Sequence, residues 1–462
     1  MSRSVDVEAV IDAQKVSAYQ CLIAFMAWLT LFLDGVDTQS LAYVGPAIAR
    51  DWGLSRGALG PVFSAGIVGV AFGAIFVGPL ADRFGRKRVI VSTVTYVALF
   101  SFLVTQAAAI ADQADISRVT ILMILRFVAG LGLGALVPLG VVFANEFAPS
   151  RRRGAMVTLM GCGYAVGSAL GGVVASNLIP AFGWPAQFYG ATAMTVIMAA
   201  ALWIWLPESI RYLTVQRRSA AIVAILQRIN PQLSFGEGTQ FELPREGVQD
   251  ARRLQPRKLF TDGRAGVTVL IWLSFFMNLL ALNYLNNWLP TLTTETGLPA
   301  GQALRAAAFL QFGGMLGIIT MGFLSDRFGF DRVLATAFVC GGLCISLIGF
   351  AGGDFYPLAG AIFAAGFFNI GSQITLAAFA ATLYPTAIRS TAVSWAHGFA
   401  RCGGIISVLF AGAMLALHWP LTTMYLLVSI PMFFGCLWML LLMQRRARKL
   451  GAMPLEARGA AA

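Results

Sequence analysis

The chain has 462 residues, 58% of them hydrophobic and only 12% charged, with a formal net charge of +12. Soluble domains average roughly 45–50% apolar and about 25% charged residues, so the composition excludes a disordered chain and argues against a soluble multidomain enzyme. A basic excess points to nucleic acid in a soluble protein, but loops on the cytoplasmic side of a membrane protein collect Lys and Arg for topological reasons, and no nucleic-acid partner is expected.

The polar segment 1–17 holds Asp6, Glu8 and Asp12 where a secretory signal would be basic, so it is read as a cytoplasmic tail and the first apolar run as a retained helix. Apolar runs then follow near 18–40, 57–80, 88–110, 119–145, 154–177 and 187–206. A bilayer-spanning helix needs about 20 apolar residues, and each run is read as one. Asp34 and Asp37 fall in the outer half of the first run, spaced i, i+3 on a shared face. Arg126 enters the fourth run from the opposite side, reaches a similar depth, and is also counted among the substrate-binding candidates. An ion pair across these two helices is geometrically possible. It would leave one acid over to carry a proton, or it would simply tie the helices together.

The interruption at 207–265 holds ten cations, and its PESIRYLTVQRRSAAIVAILQRIN stretch predicts an amphipathic helix lying against the membrane or the bundle. Six more runs follow near 266–290, 302–324, 332–351, 356–382, 391–416 and 421–443, with a cytoplasmic tail over 444–462. The expected architecture is all-α: twelve transmembrane helices in two six-helix bundles, 18–206 and 266–443. With the N-terminus inside, 27 of the 33 Lys and Arg fall on the cytoplasmic side and four outside, which places both termini in the cytoplasm.

Arg401 lies near the midplane of the eleventh run, and no acid occurs in the membrane runs of the second half. A guanidinium grips a carboxylate bidentately and cannot be deprotonated, so an organic anion is the natural counter-charge. His397, one turn earlier, either adds a hydrogen bond or titrating group to that site or bonds a neighbouring backbone carbonyl. Tyr284, Trp288, Phe367 and Trp395 are candidates to sandwich a ring, against the alternative that they merely pack. The six cysteines fall in apolar stretches without CxxC spacing and are read as small buried hydrophobes. With only His397 and His418 as histidines, a metal site or a Ser/His/Asp triad has almost no raw material. Neither a cofactor nor enzymatic chemistry is expected. The glycines at 130, 132 and 134 and at 161, 163, 167, 171 and 172 are read as points of close helix approach.

The halves repeat. GPLADRFGRKRV (Gly78–Val89) matches GFLSDRFGFDRV (Gly322–Val333) at an offset of 244, and Pro149, Arg153 and Gly167 recur as Pro385, Arg389 and Gly403 at an offset of 236. Two six-helix repeats in one orientation are the sign of a secondary transporter with its substrate site at the repeat interface, near mid-membrane.

The GPLADRFGRKRV loop resembles the signature of the major facilitator superfamily. Together with DGVDTQ at Asp34, RFVAGLGLGALVP at Arg126, LPESIRYL at Leu206, NNWLPTL at Asn286 and YPTAIRSTAV at Tyr384, it resembles the aromatic acid/proton symporters. The resemblance implies alternating access at the cell inner membrane, import of an aromatic carboxylate such as a hydroxybenzoate or benzoate with a proton, and function as a monomer. It assigns Asp82, Arg83, Arg86, Glu146, Arg153, Asp326, Arg327 and Arg389 to gating, although helix capping and topology account for Arg86, Lys87 and Arg88 equally well. Ala400 and His397 depart from the family pattern, and Ser168 stands where proton antiporters carry a motif Pro, which favours symport over efflux. Rival readings are an importer of a non-aromatic organic acid or a sugar, a membrane-embedded enzyme, and a chemoreceptor for aromatic acids.

Overall fold

Hydrocarbon offers a backbone no hydrogen-bond partner, so each apolar run must satisfy its own N–H and C=O groups, and helices do this within one segment. The computed structural model describes residues 4–55, 57–236, 239–242, 259–261, 263–384 and 386–451. The chain divides into two compact units, Met1–Leu54 with Pro61–Arg252 and Ser55–Gly60 with Arg253–Ala462.

The first half of the chain runs β1 (Ser4–Asp6), α1 (Val7–Asp12), α2 (Ala18–Asp51), α3 (Gly60–Phe76), α4 (Leu80–Phe84), α5 (Arg86–Thr105), α6 (Ala107–Ala114), α7 (Arg118–Phe147), α8 (Ser150–Phe182), α9 (Pro185–Trp205), α10 (Ile210–Val215), α11 (Ser219–Ile229) and β2 (Gln240–Glu242). The second half runs α12 (Ala265–Glu295), α13 (Ala300–Phe328), α14 (Phe330–Phe350), α15 (Phe355–Leu383), α16 (Thr386–Ala416) and α17 (Leu421–Gly451). Among the described residues eleven helices are long and apolar enough to cross a membrane, and the twelfth span is α3, shortened to 17 residues. Its early stop has a local cause. Pro79 lacks an N–H and its ring excludes the carbonyl one turn back, so Leu80 N–H bonds instead to the Val77 carbonyl at 3.1 Å and α4 starts afresh. Phe323 occupies the equivalent position in the second repeat, and α13 runs through without a break.

The same helix pairings recur in each unit. In the first, α2 packs on α8 and α5 on α9; in the second, α12 packs on α16 and α14 on α17. Glycine allows the closest of these approaches. A Cβ on Gly167 would strike the Phe32 carbonyl of α2, and a Cβ on Gly403 would meet the Phe276 carbonyl of α12. Phe32 and Phe276 are themselves 244 residues apart, the repeat offset. Not every glycine of the expected set makes such a contact, since a Cβ on Gly161 would meet nothing.

Large apolar side chains also cover the outside. Ile197, Trp203, Ile204, Phe323, Leu343 and Leu347 are each more than half exposed, a surface that only a lipid environment tolerates over such an area. The cysteines correct one expectation for the same reason. Cys21 and Cys402 are exposed and the other four half-buried, all six free, because an apolar helix face in a membrane protein is satisfied by lipid and need not be packed against protein.

The expected N-terminal tail is partly folded. Ser4–Asp6 pairs in parallel with Gln240–Glu242, and Val7 and Ile11, one turn apart on α1, are buried in a cluster with Leu213, Ile222, Leu226, Ile229 and Phe241. The amphipathic segment forms two helices rather than one, because Arg217 adopts a left-handed φ of 54° between α10 and α11. The buried positions of α11, Ile222, Ile225, Leu226 and Ile229, follow the i, i+3, i+4, i+7 pattern of one helix face. Residues 237–238, 243–258 and 262 of the expected linker, and 452–462 of the expected C-terminal tail, lie outside the described residues. The last helix continues to Gly451, beyond the expected end of its run at 443.

Candidate functional site

The charged residues of the first unit's membrane helices converge. Asp34 and Asp37 on α2 are 5% and 3% exposed, and Arg126 on α7 is 5% exposed. Arg126 Nη1 lies 3.6 Å from Asp37 Oδ2, and the Ser101 hydroxyl of α5 donates to Asp37 Oδ1. Asp34 takes a different set of neighbours. It accepts from the Thr38 hydroxyl at 3.2 Å and lies in electrostatic range of Tyr164 on α8. Three residues of a 3.6-residue turn leave two side chains about 60° apart in rotation, enough to aim the acids at different helices. Asp37 therefore pairs with the arginine, and Asp34, about 60° round on the same side of α2, also meets Thr38 and Tyr164.

The ion pair does not exhaust the guanidinium. Arg126 Nε and Nη1 and Asp37 Oδ2 are buried without a hydrogen-bond partner among the described residues. A buried donor left unmet is costly, so a carboxylate arriving here would be met by N–H groups already stripped of water. Polar contacts along α2 surround this stretch: the Tyr43 hydroxyl donates to the Ser168 carbonyl at 2.8 Å, and the Ser168 hydroxyl donates to the Gly35 carbonyl at 3.1 Å. Gln187 Nε2 reaches the Ser40 hydroxyl at 3.3 Å. Sequence reasoning missed Ser101. Its only signal is a small polar residue inside the apolar run FSFLV.

In the second unit, the ring of His397 meets Phe275 edge-on at 4.7 Å and 64°, and Arg401 is close enough for its charge to act on His397. An uncharged polar cluster that the sequence did not flag lies on α12 and α15: Asn278 Nδ2 donates to the Ser372 hydroxyl at 2.7 Å and to the Asn369 carbonyl at 3.3 Å. Tyr284 and Trp288, read as candidates either to sandwich a ring or to pack, are both 0% exposed. The Trp288 indole N–H donates to the Val408 carbonyl at 3.1 Å, and Tyr284 packs edge-on against Tyr425 at 6.1 Å. The geometry gives both a packing role inside the unit. Trp395 differs: it is 43% exposed and stacks on Trp272 at 6.2 Å, the rings 6° from parallel. Phe367 packs edge-on against Phe368.

The charges at the helix ends form a second cluster, internal to the first unit. Arg86, at the start of α5, pairs with Glu146 near the end of α7, their side chains 7% and 12% exposed. Arg86 also reaches Asp82 at 3.4 Å, but Asp82 is 77% exposed. The Ser209 hydroxyl donates to Glu146 Oε2 at 2.6 Å, and the backbone N–H groups of Lys87 and Ser209 donate to Glu208 Oε1 at 3.0 and 2.9 Å. The Glu208–Ser209 dipeptide thus stitches α5 to α7. Arg83 and Arg327 behave alike across the repeat, each guanidinium lying 5.4 Å from the ring of the following Phe84 or Phe328. Asp326 and Arg389 are exposed, and the Arg153 side chain lies outside the described residues.

The comparisons with known proteins agree on one family. The sequence matches the profile of the Major Facilitator Superfamily over residues 27–322 and again over 271–460. It is 36% identical to the 4-hydroxybenzoate transporter PcaK of Pseudomonas putida, over 91% of each chain. The gallate transporter of the same species is 36% identical over 94% of each, and the benzoate transport protein of Acinetobacter baylyi is 30% identical over 96% of this chain and 94% of that one. Among solved structures, the inward open conformation of the xylose transporter XylE from Escherichia coli superposes with a TM-score of 0.69 at 19% identity, covering 91% of this chain and 95% of that one, a likeness of fold. Twelve apolar helices in two parallel six-helix repeats, a repeated signature loop and a matching profile across both halves lead to one conclusion: this multi-pass membrane protein belongs to the major facilitator superfamily.

Proposed function

We propose that the protein is a secondary transporter that imports an aromatic carboxylate together with a proton by alternating access, with both termini in the cytoplasm and the chain placed in the cell inner membrane. The substrate class rests on the relatives named as transporters of 4-hydroxybenzoate, gallate and benzoate. The orientation rests on the 27 cations assigned to one side. In this reading 207–265 is the cytoplasmic linker between bundles 18–206 and 266–443, and the transporter works as a monomer.

The observation that carries proton coupling is two carboxylates buried within one turn of α2 beside a buried arginine. Arg126 sits against Asp37, while Asp34, equally buried, has a different environment. Ionisable side chains at membrane depth cost about 2.5–3.5 kcal/mol on insertion scales, and a carrier retains such groups where they take up and release protons. Arg401, with His397 beside it, is assigned to the substrate carboxylate, and the cluster of Asp82, Arg86 and Glu146 to gating. Asp34→Asn and Asp37→Asn test the coupling. At the coupling position, uphill accumulation of labelled hydroxybenzoate is lost while exchange across the membrane persists, since exchange moves no net proton. Gradient-driven accumulation undiminished in both single variants would remove the acids from the mechanism.

A further inference from the structure

One cavity of the first unit lies away from the buried charges. It has a volume of about 700 Å³ and is lined by Phe25, Trp28, Met156 and Leu159, with Lys15, Arg151 and Arg152 among its walls. Ligand cavities for small organic molecules run about 300–1,000 Å³, mostly apolar with a few convergent polar groups. This one has that balance. Phe25 is 51% exposed and stacks on Trp28 at 5.7 Å and 14°, which stacks in turn on Phe32 at 5.3 Å and 27°. Three near-parallel rings therefore climb α2 from the charged rim. At the rim, Arg151 is anchored by its Nη2 to the Gln14 carbonyl at 3.1 Å, and Lys15 and Arg152 line the cavity beside it.

The ring ladder is not peculiar to the first unit. It recurs in the second unit, where Trp272 and Phe276 stand 244 residues after Trp28 and Phe32 and carry Phe399 between them, with ring centroids at 5.5 Å from each. The ring ladder belongs to both repeats, and in the first it stands beside a three-cation rim with a cavity behind it. An exposed ring, Phe25, backed by the half-buried ring of Trp28 selects a flat aromatic body, and three cations at one end select a negative charge on it. Their combination is complementary to an aromatic carboxylate.

We propose that this cavity is a second binding site for aromatic carboxylates, built from residues other than Arg126 and Arg401, which holds the acid at the cytoplasmic side with its ring on Phe25 and Trp28 and its carboxylate among Lys15, Arg151 and Arg152. The proposal rests on the transport reading above for its ligand and its side. The site stages the acid as it leaves, and it fills first when the acid accumulates inside.

Cys21 lies in the cavity wall and is exposed, which makes occupancy directly readable. In the full-length transporter with the other five cysteines replaced by serine, reconstituted in proteoliposomes, the labelling rate of Cys21 with a maleimide is measured with 4-hydroxybenzoate or 4-hydroxybenzamide present. The acid is expected to slow labelling at least fivefold and the uncharged amide less than twofold. Lys15→Gln with Arg152→Gln, and separately Phe25→Ala, abolish the protection, and Phe25→Tyr restores it. Protection persists in Arg401→Gln. Equal protection by acid and amide, or none by either, overturns the proposal and leaves an apolar cleft filled by lipid. Loss of protection in Arg401→Gln overturns it too, since the effect then comes from the transport site. Failure of the wild type to transport the acid, with Cys21 protection intact, refutes the transport reading and not the site.

Discussion

Replacing Asp37 by Asn removes the counter-charge of an arginine that is 5% exposed, at a separation of 3.6 Å. With an effective dielectric of about 20, two unit charges at that distance attract by about 4–5 kcal/mol, and deleting one partner of a buried pair typically costs about 3–5 kcal/mol because the other charge stays behind. Asn retains the shape and can still accept from Ser101, so the hydrogen bond is largely kept and the charge is what is lost. The expected destabilisation of Asp37→Asn is therefore about 3 kcal/mol or more. Arg126→Gln alone strands the acid and should cost a similar amount. The double variant leaves two neutral amides and should recover up to half of the summed loss, costing about as much as either single, with a coupling energy of about 2–3 kcal/mol, the upper part of the range for contacting residues. Thermal unfolding of the purified transporter in detergent measures all four proteins of the cycle. Additive losses in the double variant would refute the pair as a stabilising contact. Recovery of stability without recovery of accumulation would separate the structural role of the pair from its role in transport.

Other contacts give sharper contrasts than single losses. Glu146→Gln should destabilise the first unit by about 2–4 kcal/mol, since it leaves Arg86 buried and short of charge, whereas Asp82→Asn, at 77% exposure, should cost under about 1 kcal/mol; equal effects on unfolding would contradict the burial argument. Trp288→Phe should cost about 1–3 kcal/mol by losing the indole bond to the Val408 carbonyl and leaving a gap with hydroxybenzoate affinity within twofold of wild type, and a tenfold loss in a binding titration would return Trp288 to the ligand. Gly167→Ala should destabilise by about 1–3 kcal/mol because the new Cβ meets the Phe32 carbonyl, while Gly161→Ala, facing open space, should be neutral or stabilising by a few tenths; matched melting temperatures would show that α2 and α8 are not in close contact.

Much of the fold was legible because bilayer physics leaves few options. A run of about 20 apolar residues in lipid can only be a helix or part of a barrel, so twelve runs read directly as twelve spans, and the 244-residue offset exposed the repeat. The break after α3 was legible in principle. Pro79 stands opposite Phe323, and only one of the two can continue a helix. The candidate site was legible as residue types, since Asp34, Asp37 and Arg126 stand out in an apolar run, but not as partners. Spacing of i, i+3 suggested one face, and the remaining 60° of rotation decides which acid meets the arginine. Ser101, Ser209 and Glu208 carry the polar contacts of the first unit across 64, 63 and 121 residues of sequence, a separation that no local pattern encodes. The aromatic candidates could not be ranked for a related reason. In a chain with 34 Phe, 10 Trp and 10 Tyr, burial against neighbouring helices distinguishes Trp288 from Trp395, and the sequence carries no mark of it.

The central claim is that a proton gradient drives an aromatic acid inward. Purified transporter in proteoliposomes, loaded at pH 7.5 and diluted into about pH 6 medium, should accumulate labelled 4-hydroxybenzoate above its external concentration. Protein-free vesicles, run in parallel to subtract passive entry of the protonated acid, should show no comparable rate. The protein-dependent rate should collapse with an uncoupler, fall with excess unlabelled benzoate and not respond to xylose. Protein-dependent uptake that only equilibrates, is indifferent to the uncoupler, or is displaced by the sugar and not by benzoate would contradict the account.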